Sequence, residues 1–377
     1  MERPYQQCAI TVMDTIADDD IRFDEKGVCN YYYDFRKAEA EQVFTGQQGH
    51  DKLESLVAEI KEAGKNKPYD CIMGLSGGVD STYVAYQAKK LGLRPLAVHF
   101  DNGWNSELAV KNIENIVSRL QLDLHTLVVD WEEFKDIQLS YMKASVVDIE
   151  VVSDHGIFTT LYKLAKKYKI KYILSGNNVA TEYIMPRSWL FNKMDHVNLR
   201  AIHKRFGTVP FKTYPVYDTA LKKYCHDILQ IRTVTMLNYV PYNKKAVKEL
   251  IAKELGWRDY GGKHYESIFT KFYQAYILPT KFHIDKRKAH LSTLIGSGQM
   301  TKEEALKELA QPLYTPEALK LDYEYVLKKL GLSVEEFEAI MKLPPKKHTD
   351  YPIERGVFDR YPVLRPLKPL ARMIRKV

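Results

Sequence analysis

Ser76-Gly77-Gly78-Val79-Asp80-Ser81 follows an apolar run, Tyr69-Asp70-Cys71-Ile72-Met73-Gly74-Leu75, and precedes a helix-patterned segment from Thr82 to Leu91. A strand, a tight glycine turn and a helix start make an anion-binding geometry. Unpaired N–H groups and the positive end of the helix dipole both face whatever sits in the turn. Gly77 and Gly78 let the backbone approach a phosphate closely. Ser76 and Ser81 add hydroxyl donors, and Asp80 adds a carboxylate suited to magnesium. The loop lacks the lysine of a G-x-x-x-x-G-K-[ST] loop, so it is a different device. A plain serine–glycine turn with a helix cap at Asp80 or Ser81 is the competing reading, and it leaves the strand–loop–helix placement unexplained.

Outward from the loop, strands and helices alternate. Arg94 to Phe100 reads as a second strand, Ser106 to Leu120 as a helix, Leu124 to Val129 as a third strand, and a helix starts near Trp131. Residues 155–168 read as a helix, Tyr172-Ile173-Leu174 as a strand running into Ser175-Gly176-Asn177-Asn178, and a last strand is placed within Pro210 to Tyr217. The alternation predicts an α/β fold, a parallel sheet with helices on both faces, whose ligands sit beyond the carboxyl ends of the strands. From Asp218 a mainly helical C-terminal region follows: Asp218 to Met236, Lys244 to Leu255, Glu266 to Ile277, Lys302 to Leu309, Pro316 to Leu330 and Ser333 to Met341. Thr301 with Glu304, and Ser333 with Glu336, have capping-box spacing. Three parts are expected: an N-terminal segment (1–50), a nucleotide-binding domain (51–217) and a helical region for substrate or partner (218–377).

The 377 residues are 45% hydrophobic and 28% charged, which excludes a disordered chain. No apolar run reaches the length of a membrane span, the N-terminus lacks a signal core, and four cysteines do not make a disulfide framework. A cytoplasmic protein is expected. The net charge of +8 favours anionic partners without choosing among nucleotides, sugar nucleotides and RNA. The tail beyond Leu343 is rich in proline and basic residues and reads as docked or frayed rather than as a membrane contact.

Other segments qualify as site candidates. His99 and Phe100 end the second strand, where a ligand neighbour beyond the strand end and a histidine packed at a strand terminus are both open readings. Gly176 and Asn177 should face the first loop across the crevice, glycine allowing close approach and asparagine giving donors. Glu182 is either a second magnesium ligand or a solvated glutamate. Arg258 to Glu266 and Lys281 to His290 mix glycine or aromatic residues with side chains that bind phosphate or carboxylate.

The loop resembles the S-G-G-x-D-S signature of the PP-loop ATP pyrophosphatases. Together with Val12 to Thr15, Ile21 to Asn30, Ser175 to Asn178, Gly256 to His264 and Ile284 to His290, the chain is similar to the N-acetyl sugar amidotransferases of the O-antigen type within that superfamily. The resemblance implies an enzyme that cleaves ATP between the α- and β-phosphates with magnesium. It implies nucleotide contacts at Ser76, Gly77, Gly78, Val79, Asp80, Ser81, His99, Phe100, Gly176 and Asn177. Asp80, Lys281 and Arg287 become catalytic candidates, Lys263, His264, Glu266 and Arg287 substrate-binding candidates, and Asp80 with Glu182 the magnesium ligands.

The implied reaction turns an acetamido group of a nucleotide-linked sugar, such as a UDP-diacetamido uronic acid, into an acetamidino group for lipopolysaccharide. Ammonia is expected from a glutaminase with a cyclase-like partner subunit, since no glutaminase signature is present. A PP-loop tRNA-modifying enzyme is the alternative. No paired reactive cysteines and no basic-aromatic RNA module support it, so no nucleic acid partner is expected. The family's two N-terminal C-x-x-C pairs survive here only as Cys8-Ala9-Ile10-Thr11 and Cys29-Asn30-Tyr31-Tyr32. A closed zinc site needs four good ligands, so no zinc is expected.

Overall fold

The computed structural model describes residues 3–262 and 265–355. An N-terminal segment closed by antiparallel bridges, Gln7 to Asp14 and Phe23 to Cys29, leads into helices α1 (Asn30–Gln42) and α2 (Gly46–Ala63). The sheet domain then runs β1 (Cys71–Gly74), α3 (Val79–Lys90), β2 (Pro95–Asp101), α4 (Glu107–Leu120), β3 (Asp123–Val128), α5 (Trp131–Ala144), α6 (Val151–Tyr168) and β4 (Tyr172–Ser175). After α7 (Val179–Glu182), α8 (His196–Phe206) and α9 (Thr219–Lys223), the chain adds β5 (Arg232–Thr235).

The strand order is β3-β2-β1-β4-β5, with every neighbouring pair parallel. The chain steps from β1 outward to β3, then returns to the other side of β1 as β4. Order therefore reverses between β1 and β4, the position where open parallel sheets leave a crevice beyond the strand ends. Alternating side chains serve two cores, as period-two geometry demands. Met73, Ala97 and Leu174 meet Val84, Ala88, Ile116 and Ile251 on one face. Ile72, Val98 and Ile173 meet Leu161, Leu164 and Ala165 on the other.

Two expectations are corrected. No strand forms within 210–217, because that backbone has other partners. Thr208 and Val209 N–H groups donate to Asp136, while Lys212, Thr213 and Tyr214 N–H groups donate to Glu133. These bonds outweigh burial and hold both carboxyls below the usual carboxylate range. The fifth strand instead forms where a helix from 218 to 236 was expected. That helix passes into a π turn at Tyr224–Ile228, and Gln230 takes a left-handed φ of 52°. The β-branched run Thr233-Val234-Thr235 then pairs with Ile173 to Ser175.

The C-terminal region comprises α10 (Lys244–Leu255), α11 (Ile268–Phe272), α12 (Leu278–Phe282), α13 (Arg287–Gly296), α14 (Lys302–Leu309), α15 (Pro316–Leu330) and α16 (Val334–Lys342). A π turn, Tyr273–Ile277, joins α11 to α12. Both capping boxes form, Thr301 with Glu304 and Ser333 with Glu336. The N-terminal segment shares its core with these helices: Val12 packs on Leu291 and Ala305, and its N–H donates to Ser292 Oγ at 3.2 Å. After α16 the described residues are docked: the Glu354 N–H donates to Asp195 at 2.9 Å, while Tyr351 Oη donates to Ala144 O at 2.9 Å. Residues from 356 onward lie outside the described residues.

Candidate active site

Helix α3 begins inside the motif, at Val79, with Gly78 in extended geometry before it. The helix start therefore lies three residues nearer the glycines than the sequence pattern suggested, and its first N–H groups open into the loop. Gly77 takes a φ of 80°, and a Cβ there would lie 2.9 Å from Ala109 O. Only glycine suits both constraints. The loop is laced by its own hydroxyls: Ser76 Oγ accepts from Gly78 N at 3.2 Å, Ser81 Oγ accepts from Ser76 N at 3.4 Å, and Thr82 Oγ1 donates to Gly78 O at 2.6 Å.

The C-terminal region braces this loop from outside. Trp257 Nε1 donates to Gly77 O at 2.8 Å, and the Tyr242 hydroxyl donates to Asp80 Oδ1. Burial raises the Tyr242 phenol, and the negative charges of Asp80 and Glu182 raise it further. Those two carboxylates thus act on one point beside the loop. Glu266 is brought in by its backbone, whose carbonyl accepts from Ser106 N at 2.8 Å. A Cβ on Gly78 would sit 3.3 Å from the Tyr260 hydroxyl and 3.4 Å from Glu266 Oε1. Gly176 is equally confined, since a Cβ there would lie 3.2 Å from Asp80 Cβ.

Two cavities meet at the loop. The first, about 740 Å³, reaches from Gly74, Leu75 and Ser76 past His99, Phe100 and Asn102 to Asp154, Tyr183 and Lys193. The second, about 730 Å³, takes in Ser76, Gly78 to Ser81, Gly176, Lys244, Lys248, Tyr260 and Arg287. Ser76, Asn177, Glu182, Glu266, Lys286 and His290 line both. Each is large enough for a drug-sized ligand.

The structure brings together Ser76, Gly78, Val79, Asp80, Ser81, His99, Phe100, Gly176, Asn177, Glu182, Glu266 and Arg287 around these cavities, with Gly77 forming the turn beneath. His99 is also packed, its Nδ1 3.1 Å from Leu75 O and its Nε2 3.1 Å from Asn105 Nδ2. Arg287 reaches the second cavity but all five guanidinium N–H groups are engaged. Asp285 and the carbonyls of Glu308, Leu309 and Gln311 take them at 2.7 to 3.3 Å. Lys281 lines neither cavity. Its Nζ donates to Ile340 O at 2.5 Å, and burial lowers it to about 8. The structure places it in helix packing, away from the chemistry assigned to it. Lys263 and His264 lie outside the described residues.

Several cavity residues escaped the sequence reading. Lys193 bridges Asp148 at 2.8 Å and Asp154 at 3.0 Å, and Lys286 pairs with Glu150 at 3.2 Å. Lys286 lay inside the Lys281 to His290 segment that the sequence singled out, but without a role of its own. Asp148 to Asp154 carries no spacing signal, because its partners come from distant parts of the chain.

Asp80 and Glu182 fit magnesium. They are hard oxygen donors beside a phosphate cradle, and magnesium usually keeps one or two carboxylates with substrate phosphates. No group of three or more His, Cys, Asp or Glu side chains converges as a metal cage among the described residues. At the N-terminus Cys8 Sγ accepts N–H bonds from Thr11 at 3.4 Å and Cys29 at 3.2 Å, and Thr11 Oγ1 lies 3.7 Å from Cys29 Sγ. The Cys29 thiol and these N–H groups hold the Cys8 thiol below its usual range, against the effect of burial. Two thiols and a hydroxyl do not fit a closed zinc tetrahedron. No helix among the described residues is long and apolar enough to cross a membrane.

Comparisons with known proteins give matches to two parts of the chain. Residues 266–365 match the family model "LPS biosynthesis protein WbpG-like, C-terminal domain", and residues 70–180 match "Queuosine biosynthesis protein QueC". A curated relative, tRNA(Ile)-lysidine synthase of Chlamydia pneumoniae, is 35% identical over 71 residues, 18% of this chain and 22% of that protein. The chain thus matches about a fifth of that relative's length. Among solved structures, NMN synthetase from Francisella tularensis is 14% identical with a TM-score of 0.33, covering 77% of this chain and 98% of that one. NH3-dependent NAD synthetase from Campylobacter jejuni is 12% identical with a TM-score of 0.31, covering 79% and 98%. With its loop at the switch point of a parallel sheet, the chain carries a QueC-like stretch over residues 70–180 and, over 266–365, a region like the C-terminal domain of WbpG-like LPS biosynthesis proteins.

Proposed function

We propose that this chain is an ATP-dependent amidotransferase that converts an acetamido group of a nucleotide-linked sugar into an acetamidino group during lipopolysaccharide assembly. The observation that carries the reading is the Ser76–Ser81 cradle, with Asp80 and Glu182 beside it, opening into two ligand-sized cavities walled by the WbpG-like region. An amide carbonyl is a poor electrophile and its oxygen a poor leaving group. Transfer of AMP to that oxygen removes both obstacles, and ammonia then displaces AMP at the carbon.

Loop N–H groups and hydroxyls at Gly78, Val79 and Ser81 offset charge on the departing pyrophosphate. Magnesium held by Asp80 and Glu182 would add Lewis-acid neutralisation of the phosphates. The apolar stretch from Val98 to Phe100 suits an adenosine. Ammonia comes from elsewhere in this reading. All four cysteines are buried, Cys71 within β1 and Cys225 in a π turn, and a nucleophilic thiol needs access. A glutaminase and cyclase-like pair of subunits in the cytoplasm is the proposed source.

Mass spectrometry of UDP-N-acetyl sugars incubated with ATP, magnesium and ammonium tests this. A product lighter by about one mass unit marks exchange of oxygen for NH. Formation of ADP, or turnover that needs tRNA instead of sugar, would reject it.

A further inference from the structure

We infer that Lys286 is the cation that meets the α-phosphate during adenylyl transfer, an inference that rests on the function proposed above. In-line displacement puts the attacking and leaving oxygens on opposite sides of phosphorus. Gly78 to Ser81 line only the second cavity, so the leaving pyrophosphate belongs there. The acceptor oxygen must then arrive from the first cavity, and the phosphorus sits where the two meet, beside Ser76. Negative charge on its non-bridging oxygens needs a cation at that junction.

Among the described residues five lysine or arginine side chains line either cavity: Lys193, Lys244, Lys248, Lys286 and Arg287. Lys286 is the one that lines both. Lys193 belongs to the first cavity and is held between two carboxylates, whereas Lys244 and Lys248 belong to the second, Lys248 paired with Asp259 at 2.7 Å. The donors of Arg287 are all used. Lys286 itself is 9% exposed, carried by the turn into α13, with its ammonium 3.2 Å from Glu150 Oε2. Gln274 Nε2 holds the same oxygen at 3.1 Å, from the π turn that breaks the preceding helix. Glu150 occupies one of three ammonium donors, which leaves a flexible four-carbon stem and further N–H groups for an incoming phosphate.

The step balances with Lys286 protonated throughout. A bond from the acetamido oxygen to the α-phosphorus forms while the bond from phosphorus to pyrophosphate breaks, its electron pair leaving with pyrophosphate. The positive charge gained by the acceptor stays on its imidate nitrogen until ammonia adds. Lys286 exchanges no proton; it neutralises the phosphate.

A double-mutant cycle over Lys286→Met and Glu150→Gln tests the assignment, with AMP release, ATP binding and melting temperature as readouts. Lys286→Met should lower kcat by about 10²–10³-fold, the cost of removing one transition-state donor. The ATP dissociation constant should change by no more than about tenfold, and Lys286→Arg should recover part of the rate. If Lys286 serves only to neutralise Glu150, removing both charges restores turnover. Recovery in the double variant, or an unchanged kcat in Lys286→Met, overturns the inference while the parent function stands. A wild-type chain that makes no AMP with any sugar and ammonium overturns both.

Discussion

Asp80 and Gly77 carry different burdens within the same loop. Asp80 stands in the first turn of α3, where the helix dipole favours its charge, and the Tyr242 hydroxyl anchors one oxygen. Asp80→Asn keeps the size and the hydrogen bond but loses the charge proposed above to hold magnesium. Turnover should fall by about 10²–10³-fold with melting temperature nearly unchanged, measured by AMP release and calorimetry. Near-normal turnover would remove Asp80 from the chemistry. Gly77→Ala acts through the backbone instead. Its φ of 80° costs an L-residue about 1–2 kcal/mol, and the new methyl meets Ala109 O. ATP affinity and melting temperature should drop together in equilibrium binding and thermal unfolding. A variant with wild-type ATP affinity would show that the loop tolerates another path.

At the scale of elements, Arg287 ties the start of α13 to the end of α14. Arg287→Lys keeps the charge but offers three donors in place of five, leaving carbonyls of Glu308, Leu309 or Gln311 short of partners. A loss of about 1–3 kcal/mol in unfolding free energy is expected by denaturant titration, with kcat reduced far less than in Lys286→Met. The motif around it was visible in the sequence, yet the sequence does not say which of three adjacent cations faces a cavity. Lys288 pairs with Asp14, Arg287 lines the second cavity with its donors spent on Asp285 and carbonyls, and Lys286 lines both cavities. The strand expected within 210–217 failed for a related reason. Its β-branched and aromatic residues suit a strand, but Glu133, some 80 positions earlier, captures the N–H groups of Lys212, Thr213 and Tyr214. Local pattern records propensity; it does not record a distant carboxylate. By contrast, the three central strands and the capping boxes were legible, because burial on alternate faces and Thr-x-x-Glu spacing are local.

Across the whole molecule, buried histidines tie stability to pH. His155 accepts from Tyr217 N at 2.9 Å and sits 2.8 Å from Lys193 O, and burial lowers it to about 4. His348 stacks on Phe191 with centroids 4.2 Å apart, and burial lowers it to about 3. Below about pH 6.5 the unfolded chain takes up these protons and the native chain does not, so stability falls as pH falls toward about 4. The loss should be on the order of 1–3 kcal/mol per histidine, read as a declining melting temperature. Replacing both by glutamine should flatten that decline; an unchanged slope would assign acid sensitivity to other groups.

The N-terminal segment also belongs to this scale. Lys302 Nζ donates to Cys8 O at 2.6 Å and Lys288 pairs with Asp14, so packing on α13 and α14 holds the segment. Elemental analysis of the purified chain should find far less than one zinc per chain, and one equivalent would contradict this.

What unites the scales is the junction where loop, sheet crevice and C-terminal helices meet, and the oxygen proposed to be activated there. The most direct measurement uses an acceptor sugar labelled with ¹⁸O in its acetamido carbonyl, with ATP and ammonium. If the α-phosphate is transferred to that oxygen, the released AMP is heavier by about two mass units and pyrophosphate stays unlabelled. Unlabelled AMP, or label found in ADP or inorganic phosphate, would contradict the account.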